Sequence, residues 1–364
     1  MEEIGFVFHS VGGVYWDESV CYQFDADEID LLESVTAELH EMCLCAVEHV
    51  ITHNRFEQLA IPEAWWARVR ESWRAREPSV YGRFDFSYNG IHPPKLLEYN
   101  ADTPTALLEA SVAQWFWLQD VKLGADQFNS IHEKLIAQWK RVGSSSATET
   151  LYFATVGTSD EDITTVEYLR DTAVQAGWST AFIEIDKIGW WEEKRIFVDQ
   201  ENRPIKRLFK LYPWEWMVRE EFAPQMLTGS MAVIEPSWKM LLSNKGLLPI
   251  LWELYPQHPN LLPAYFTPEK FTAGYVKKPI YSREGANIEI TVPGAEFVSK
   301  GEYGAEGWIY QGYAPLPVFD AQFYPVIGAW VIGDEPAGIG IREDKTPVTQ
   351  NTSRFIPHYF MPLE

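Results

Sequence analysis

The chain has 364 residues, 46% of them hydrophobic and 23% charged, with a formal net charge of −22, which suits one folded, multi-lobed unit. That charge disfavours nucleic acid, whose phosphates call for clustered Lys and Arg, and is compatible with cationic substrates or with solubility alone. No apolar run approaches the roughly 18–20 residues of a membrane span, and the acidic opening MEEIGFVFHS lacks the layout of a signal peptide, so the expected location is the cytoplasm.

Residues 25–52 read as an amphipathic helix, with Ile29, Leu32, Val35, Leu39, Met42, Ala46 and Val50 at three- and four-residue spacing. Cys43 and Cys45 fall inside it and read as small buried hydrophobes; with Cys21 they are too few for a disulfide framework. A second helix covers about 62–76. Residues 81–100 then read as a hairpin. In YGRFDFSY the polar Arg83, Asp85 and Ser87 alternate with Phe84, Phe86 and Tyr88, Asn89-Gly90 and Pro93-Pro94 mark a loop, and KLLEYN follows as the return strand. Helices are expected over 105–122 and 127–140, and GSSSATET (143–150) is the best linker. From 151 to 235 strands and a helix alternate as in an α/β lobe. A helix over 240–254 and the strands YVKKP, AEFVSK, WIYQGY, YPVIGAWVIG and GIGIRED complete the chain. The expected organisation is one unit of three lobes, 1–150, 151–235 and 236–364, of mixed α+β and α/β class.

The hairpin carries the strongest chemical signal. With a loop over 89–94, Asp85 falls opposite Glu98 and Arg83 opposite Asn100, all on one strand face. Two carboxylates and an amide oxygen are hard ligands suited to Mg²⁺; a solvated polar face is the alternative of about equal weight. Downstream, Lys245 in LLSNKGLLP and Lys278 in YVKKP, with the Gly-bearing loop SREGANI, suit a triphosphate. No Walker loop, Rossmann fingerprint, zinc spacing or G-x-S-x-G elbow is present. The run Asp160-Glu161-Asp162 reads either as charge complementing a helix N-terminus, the commoner arrangement, or as a receiver for a cationic amine.

RFDFSYNGIHPPKLLEYNADTPT resembles the glutathionylspermidine synthase family in its synthetase part, and the resemblance continues through FKLYPWEW, SNKGLLPILW, YVKKPIYSREGANI, IYQGY, PVIGAWVIG and GIGIRED. It implies a circularly permuted ATP-grasp fold with a substrate-side α/β lobe and without the amidase domain of bifunctional members. It implies metal ligation by Asp85, Glu98 and Asn100, nucleotide contacts by Lys245, Lys278, Gly285 and, at an adenine-contacting hinge, Gln311. Thr103 and Thr105 would contact the acid substrate, and Arg83, Arg283 and Arg342 would attend the acid or the transferring phosphate. The implied activity is an ATP- and Mg²⁺-dependent ligase joining a small peptide-like carboxylate to an amine, a polyamine among the candidates, through an acyl-phosphate. A non-catalytic nucleotide or polyamine binder on the same fold is the alternative. Leu211 departs from the family, where Thr is expected, which points to an acid other than glutathione.

Overall fold

The computed structural model describes all residues except 1–5, 7, 8, 11, 12, 144–148, 229, 230, 320, 321, 351, 352, 363 and 364. Most of the expected linker GSSSATET lies outside the described residues.

The long helix Ala26–Thr52 begins at a capping box between Asp25 and Glu28 and buries the residues its periodicity marks, among them Leu32, Val35, Leu39 and Val50. Within it Cys43 is buried, but Cys45 is exposed. The helix packs on a five-stranded antiparallel sheet with spatial order Arg354–Ile356, Glu335–Asp344, Tyr324–Ile332, Tyr81–Ser87, Lys95–Asn100. Strand alternation divides this sheet into two faces. Phe84, Phe86, Ile327, Ala329, Ile339 and Ile341 join the core under the long helix. Trp330 and Ile332, on the other face, join a second core with Leu135, Trp139, Phe153 and Phe209. Arg83 pairs with Trp330 and Asp85 with Gly328, so both point to that second face.

A four-stranded parallel sheet, ordered Ser179–Glu184, Thr150–Thr155, Arg207–Leu211, Ala232–Ile234, carries the helix Asp160–Gln175. Another antiparallel sheet, ordered Ala264–Tyr265, Trp308–Gly312, Tyr275–Pro279, Glu289–Val292, Ala295–Val298, stands beside the hairpin. The protein is therefore a mixed α/β fold with parallel and antiparallel sheets.

Four helices differ from expectation: that expected over 127–140 is Ile131–Val142, that expected over 62–76 is a 3₁₀ turn, Glu63–Trp65, followed by Trp66–Arg74, and two more differ further. The segment expected to be helical over 105–122 passes through a π-helical turn, Glu109–Ala113, before the α-helix Gln114–Val121. The helix expected over 240–254 begins only at Leu247, because Asn244 Oδ1 takes the Gly246 N–H at 2.8 Å and turns the chain. Among the described residues no helix is long and apolar enough to cross a membrane.

Candidate active site

The floor of the site is the hairpin. Asp85 pairs with Glu98 and Arg83 with Asn100, the expected partners, yet the route to that register differs. Ser87 pairs with Lys95 and Phe86 with Leu96, and Leu97 is an extra residue before Glu98. This bulge realigns the carboxylates and leaves two carbonyls free of the ladder. Lys278 Nζ donates to Leu97 O and Gln311 Nε2 to Leu96 O, both at 2.9 Å, tying the second antiparallel sheet to the hairpin.

The Arg83–Asp85 half of the polar face is buried, and Glu98 and Asn100 are half-buried. Every residue of Tyr81–Ser87 is buried; Arg83 and Asp85 are each 4% exposed. Charges this deep persist only when paired. Arg83 Nε donates to Asp85 Oδ1 at 2.7 Å, and Arg342 Nη2 donates to Oδ2 at 2.7 Å. Arg342 comes from a strand two places away in the sheet and reaches Asp85 across the strand that carries Gly328. A Cβ at Gly328 would stand 2.8 Å from Arg83 Cδ, so a side chain there would displace the guanidinium. Arg83 Nη1 also donates to Thr105 O at 2.6 Å. Burial opposes the Arg83 charge, but Asp85 outweighs it and raises the guanidinium pKa.

Glu98 faces Lys245 Nζ at 2.9 Å. Burial alone would raise the Glu98 pKa; Lys245, Lys278 and Arg83 overcome it and bring the carboxyl down to about 2. Lys278 shows the reverse balance. Burial, aided by Lys245, lowers its pKa to about 8 despite Glu98 and Asp85, and Gln311 Oε1 accepts from its ammonium at 2.7 Å. Gln311 therefore enters the site through its side chain, holding Lys278 in place. Arg283 Nε donates to Glu215 Oε1 at 3.1 Å, and its Nη1 donates to Thr103 Oγ1.

Two clefts meet over Asp85, Glu98 and Lys245. One, of about 750 Å³, has Lys278 and Gln311 at its polar end and walls of Val276, Ile288, Ile290, Leu316, Val326 and Val348. The other, of about 770 Å³, is lined by Arg83, Asn100, Thr103, Thr105, Arg283 and Arg342. Gly285 belongs to both, at φ +67°, where a Cβ would stand 2.6 Å from Thr349 O. Every site residue singled out from the sequence lines one cleft or both. Asp85, Glu98 and Asn100 offer two carboxylates and an amide on one face. No cluster of three His, Cys, Asp or Glu able to hold a metal occurs among the described residues, but Mg²⁺ needs only one or two carboxylates beside phosphate oxygens and water. The donor set fits that ion.

A family model described as glutathionylspermidine synthase preATP-grasp matches residues 1–361. The chain belongs to that family. It is 45% identical to a Haemophilus influenzae protein with the provisional name acid–amine ligase, over 99% of this chain and 95% of that protein. It is 31% identical to trypanothione synthetase of Crithidia fasciculata, over 87% of this chain and 53% of the relative. It is 30% identical to the bifunctional glutathionylspermidine synthetase/amidase of Escherichia coli, over 92% of this chain and 58% of the relative. The chain thus spans little more than half the length of these last two. Among solved structures, the apoform of a glutathione synthetase-like effector from Globodera pallida shares the fold with TM-score 0.57 at 10% identity, covering 94% of this chain and 90% of its own.

Three acids of this glutathionylspermidine synthase family member were missed in the sequence. Glu215 holds Arg283. Glu284 lines both clefts. Asp102 joins Lys210 Nζ at 2.5 Å and the Trp214 N–H at 2.8 Å. Their signal was position, since each sits inside a motif block, NADTPT, PWEW or SREG. Leu211 changes meaning. It is 4% exposed, packs in the core with Trp139, Phe153 and Phe209, and lines neither cleft, so it bears on packing and gives no argument against glutathione.

Proposed function

We propose that this protein is a cytosolic ATP-dependent acid–amine ligase on a circularly permuted ATP-grasp fold. The observation that carries the reading is the junction of the two clefts. An apolar slot ending in Lys278 suits the adenosine and phosphates of ATP, and a pocket rich in arginine and threonine suits a peptide-like carboxylate. The paired carboxylates Asp85 and Glu98 lie where the two meet. Permutation is inferred from chain order, since the metal-ligating hairpin precedes both phosphate lysines.

Asp85, Glu98 and Asn100 would hold Mg²⁺, which supplies charge neutralisation on the phosphates. Lys245 and Lys278 contact the phosphates, with Gly285 close to them. Arg83 and Arg342 orient the acid's carboxylate and stabilise charge on the transferred γ-phosphoryl; Arg283 and Thr103 hold the remainder of the acid, and Thr105 sets Arg83 through its carbonyl. The carboxylate oxygen takes the phosphoryl group from ATP, leaving ADP. The amine nitrogen then bonds to the acyl carbon as the C–O bond to phosphate breaks.

The test is phosphate release from Mg²⁺-ATP with pooled acids (glutathione and small peptides) and pooled amines including spermidine. Release should need both pools and should fall on the order of 10²–10³-fold in Glu98→Gln. Tight nucleotide binding without release under any pool would favour the non-catalytic binder. Failure to bind Mg²⁺-ATP would end the reading.

A further inference from the structure

Away from the two clefts, a third cavity opens where five segments meet behind the start of the hairpin. Its volume is about 1110 Å³, against 750 and 770 Å³ for the clefts, and it shares no lining residue with either. Its back wall carries Ser79, whose carbonyl accepts from Gln138 Nε2 at 2.7 Å, and Gly333, whose N–H donates to Val80 O at 2.7 Å. Nothing in the proposed reaction uses it.

The walls are aromatic. Trp73 lies in the last turn of the helix Trp66–Arg74, and Trp238 on the 3₁₀ turn Ser237–Met240. Their rings stand edge to face, with centroids 5.2 Å apart and planes at 69°. Both indole N–H groups are spent within the protein, Trp73 Nε1 on Glu48 Oε2 at 2.5 Å and Trp238 Nε1 on Glu77 O at 3.0 Å. What this corner offers a ligand is therefore π-surface.

The rim is charged, and its balance decides the sign of the ligand. Each acid there is already engaged. Glu77 takes Arg68 Nη2 with both oxygens, at 2.7 and 2.9 Å, and Ser72 Oγ at 2.5 Å. Glu48 takes Trp73 and Thr52 Oγ1, and Asp334 Oδ1 faces His40 Nε2 at 3.2 Å. Arg74 and Arg76 are exposed and have no hydrogen-bond or ion-pair partner among the described residues; Arg74 feels Glu48 through charge alone. A cation at Arg74 suits the end of its helix, but Arg76 lies beyond that end, at φ +50°, a region that favours glycine. Two neighbouring unpaired guanidiniums run against the composition of a chain with net charge −22. Beside an aromatic corner they match a phosphate carried by a planar ring. The second oxygen of Asp334, a side chain 80% exposed, can accept from an amino group on that ring.

We propose that this cavity is a second ligand site, taking a nucleoside monophosphate with its base against Trp73 and Trp238 and its phosphate on Arg74 and Arg76. The site stands apart from the slot assigned to ATP and needs neither the metal ligands nor Lys245 and Lys278.

Hydrogen–deuterium exchange of the full chain locates the ligand without relying on activity. AMP should slow exchange in peptides covering 73–79 and 333–334. Arg74→Ala/Arg76→Ala, at exposed positions outside the core, should fold as wild type and lose that protection, with AMP affinity by calorimetry falling about tenfold or more. Adenosine and inorganic phosphate, each carrying half of the recognition, should each bind about tenfold or more weaker than AMP. AMP protection confined to the strands Tyr275–Pro279 and Trp308–Gly312 would overturn the proposal, because the ATP slot would then account for all nucleotide binding. Protection at 73–79 that survives in the double variant would overturn it too. Adenosine or phosphate binding as tightly as AMP would refute the ligand class. No protection in either place would end the proposal.

Discussion

Two kinds of carboxylate–cation pair bracket the hairpin, and they differ in access. Lys210–Asp102 and Lys239–Glu235 are sealed, with all these side chains 0% exposed. Glu235 accepts the N–H groups of Val80 and Tyr81, and Lys239 donates to Tyr81 O, so this pair clamps the start of the hairpin. Asp102 follows Asn100 and bonds Lys210 and Trp214, so the other pair clamps its end to the parallel sheet. Between the clamps, Lys245–Glu98 opens onto both clefts, with side chains 10% and 30% exposed. A sealed pair has no other partner to take, whereas an open one can exchange its partner for a metal ion or a phosphate. The sealed pairs hold the frame on which the exchangeable pair works.

The sharpest way to break this contrast is Lys210→Met, which leaves Asp102 buried and uncompensated. It should cost about 3–5 kcal/mol in urea unfolding. In Glu98→Gln, by contrast, the pair is partly solvated and stability should change by less than about 1 kcal/mol. The order should reverse for catalysis. Glu98→Gln should lower turnover on the order of 10²–10³-fold, the usual worth of a group stabilising developing charge, with a Tm close to wild type.

pH sharpens the comparison within the open set. Lys278 is charged below about 8 and neutral above, and only the charged form attracts phosphate. Nucleotide Kd from calorimetry should therefore rise about tenfold between about pH 7 and 9. The stability contribution has the opposite sign. A lysine whose folded pKa is depressed penalises folding while protonated, and that penalty eases as pH rises from about 8 toward 10.5. An affinity that is flat across this range would contradict the burial of Lys278. The smallest effects belong to the start of the helix Asp160–Gln175, outside both sets and capped by Ser159. Ser159→Ala should cost about 1 kcal/mol, and Asp160→Asn less than about 0.5 kcal/mol in thermal unfolding.

Much of the site was legible because it lies on one regular element. The period-two pattern of YGRFDFSY and an expected loop over 89–94 placed Asp85 opposite Glu98, as observed, although the turn is one residue longer and the bulge makes up the difference. The bulge at Leu97 was not legible, since KLLEYN reads as a regular strand and the extra residue is set by the partners of the Leu96 and Leu97 carbonyls, Gln311 and Lys278. The π-turn at Glu109 was hidden for a similar reason, its sequence being an ordinary apolar helix. The short hairpin Gly189–Trp191/Ile196–Val198 also went unread.

By itself, then, the sequence determined the elements and the residue types each presents, because side-chain periodicity and turn chemistry are local. Tertiary structure alone decided that Arg83 and Asp85 are buried and that Arg342 and not only Arg83 neutralises Asp85. Those outcomes depend on desolvation and on charges brought together from distant segments, and no local pattern encodes either.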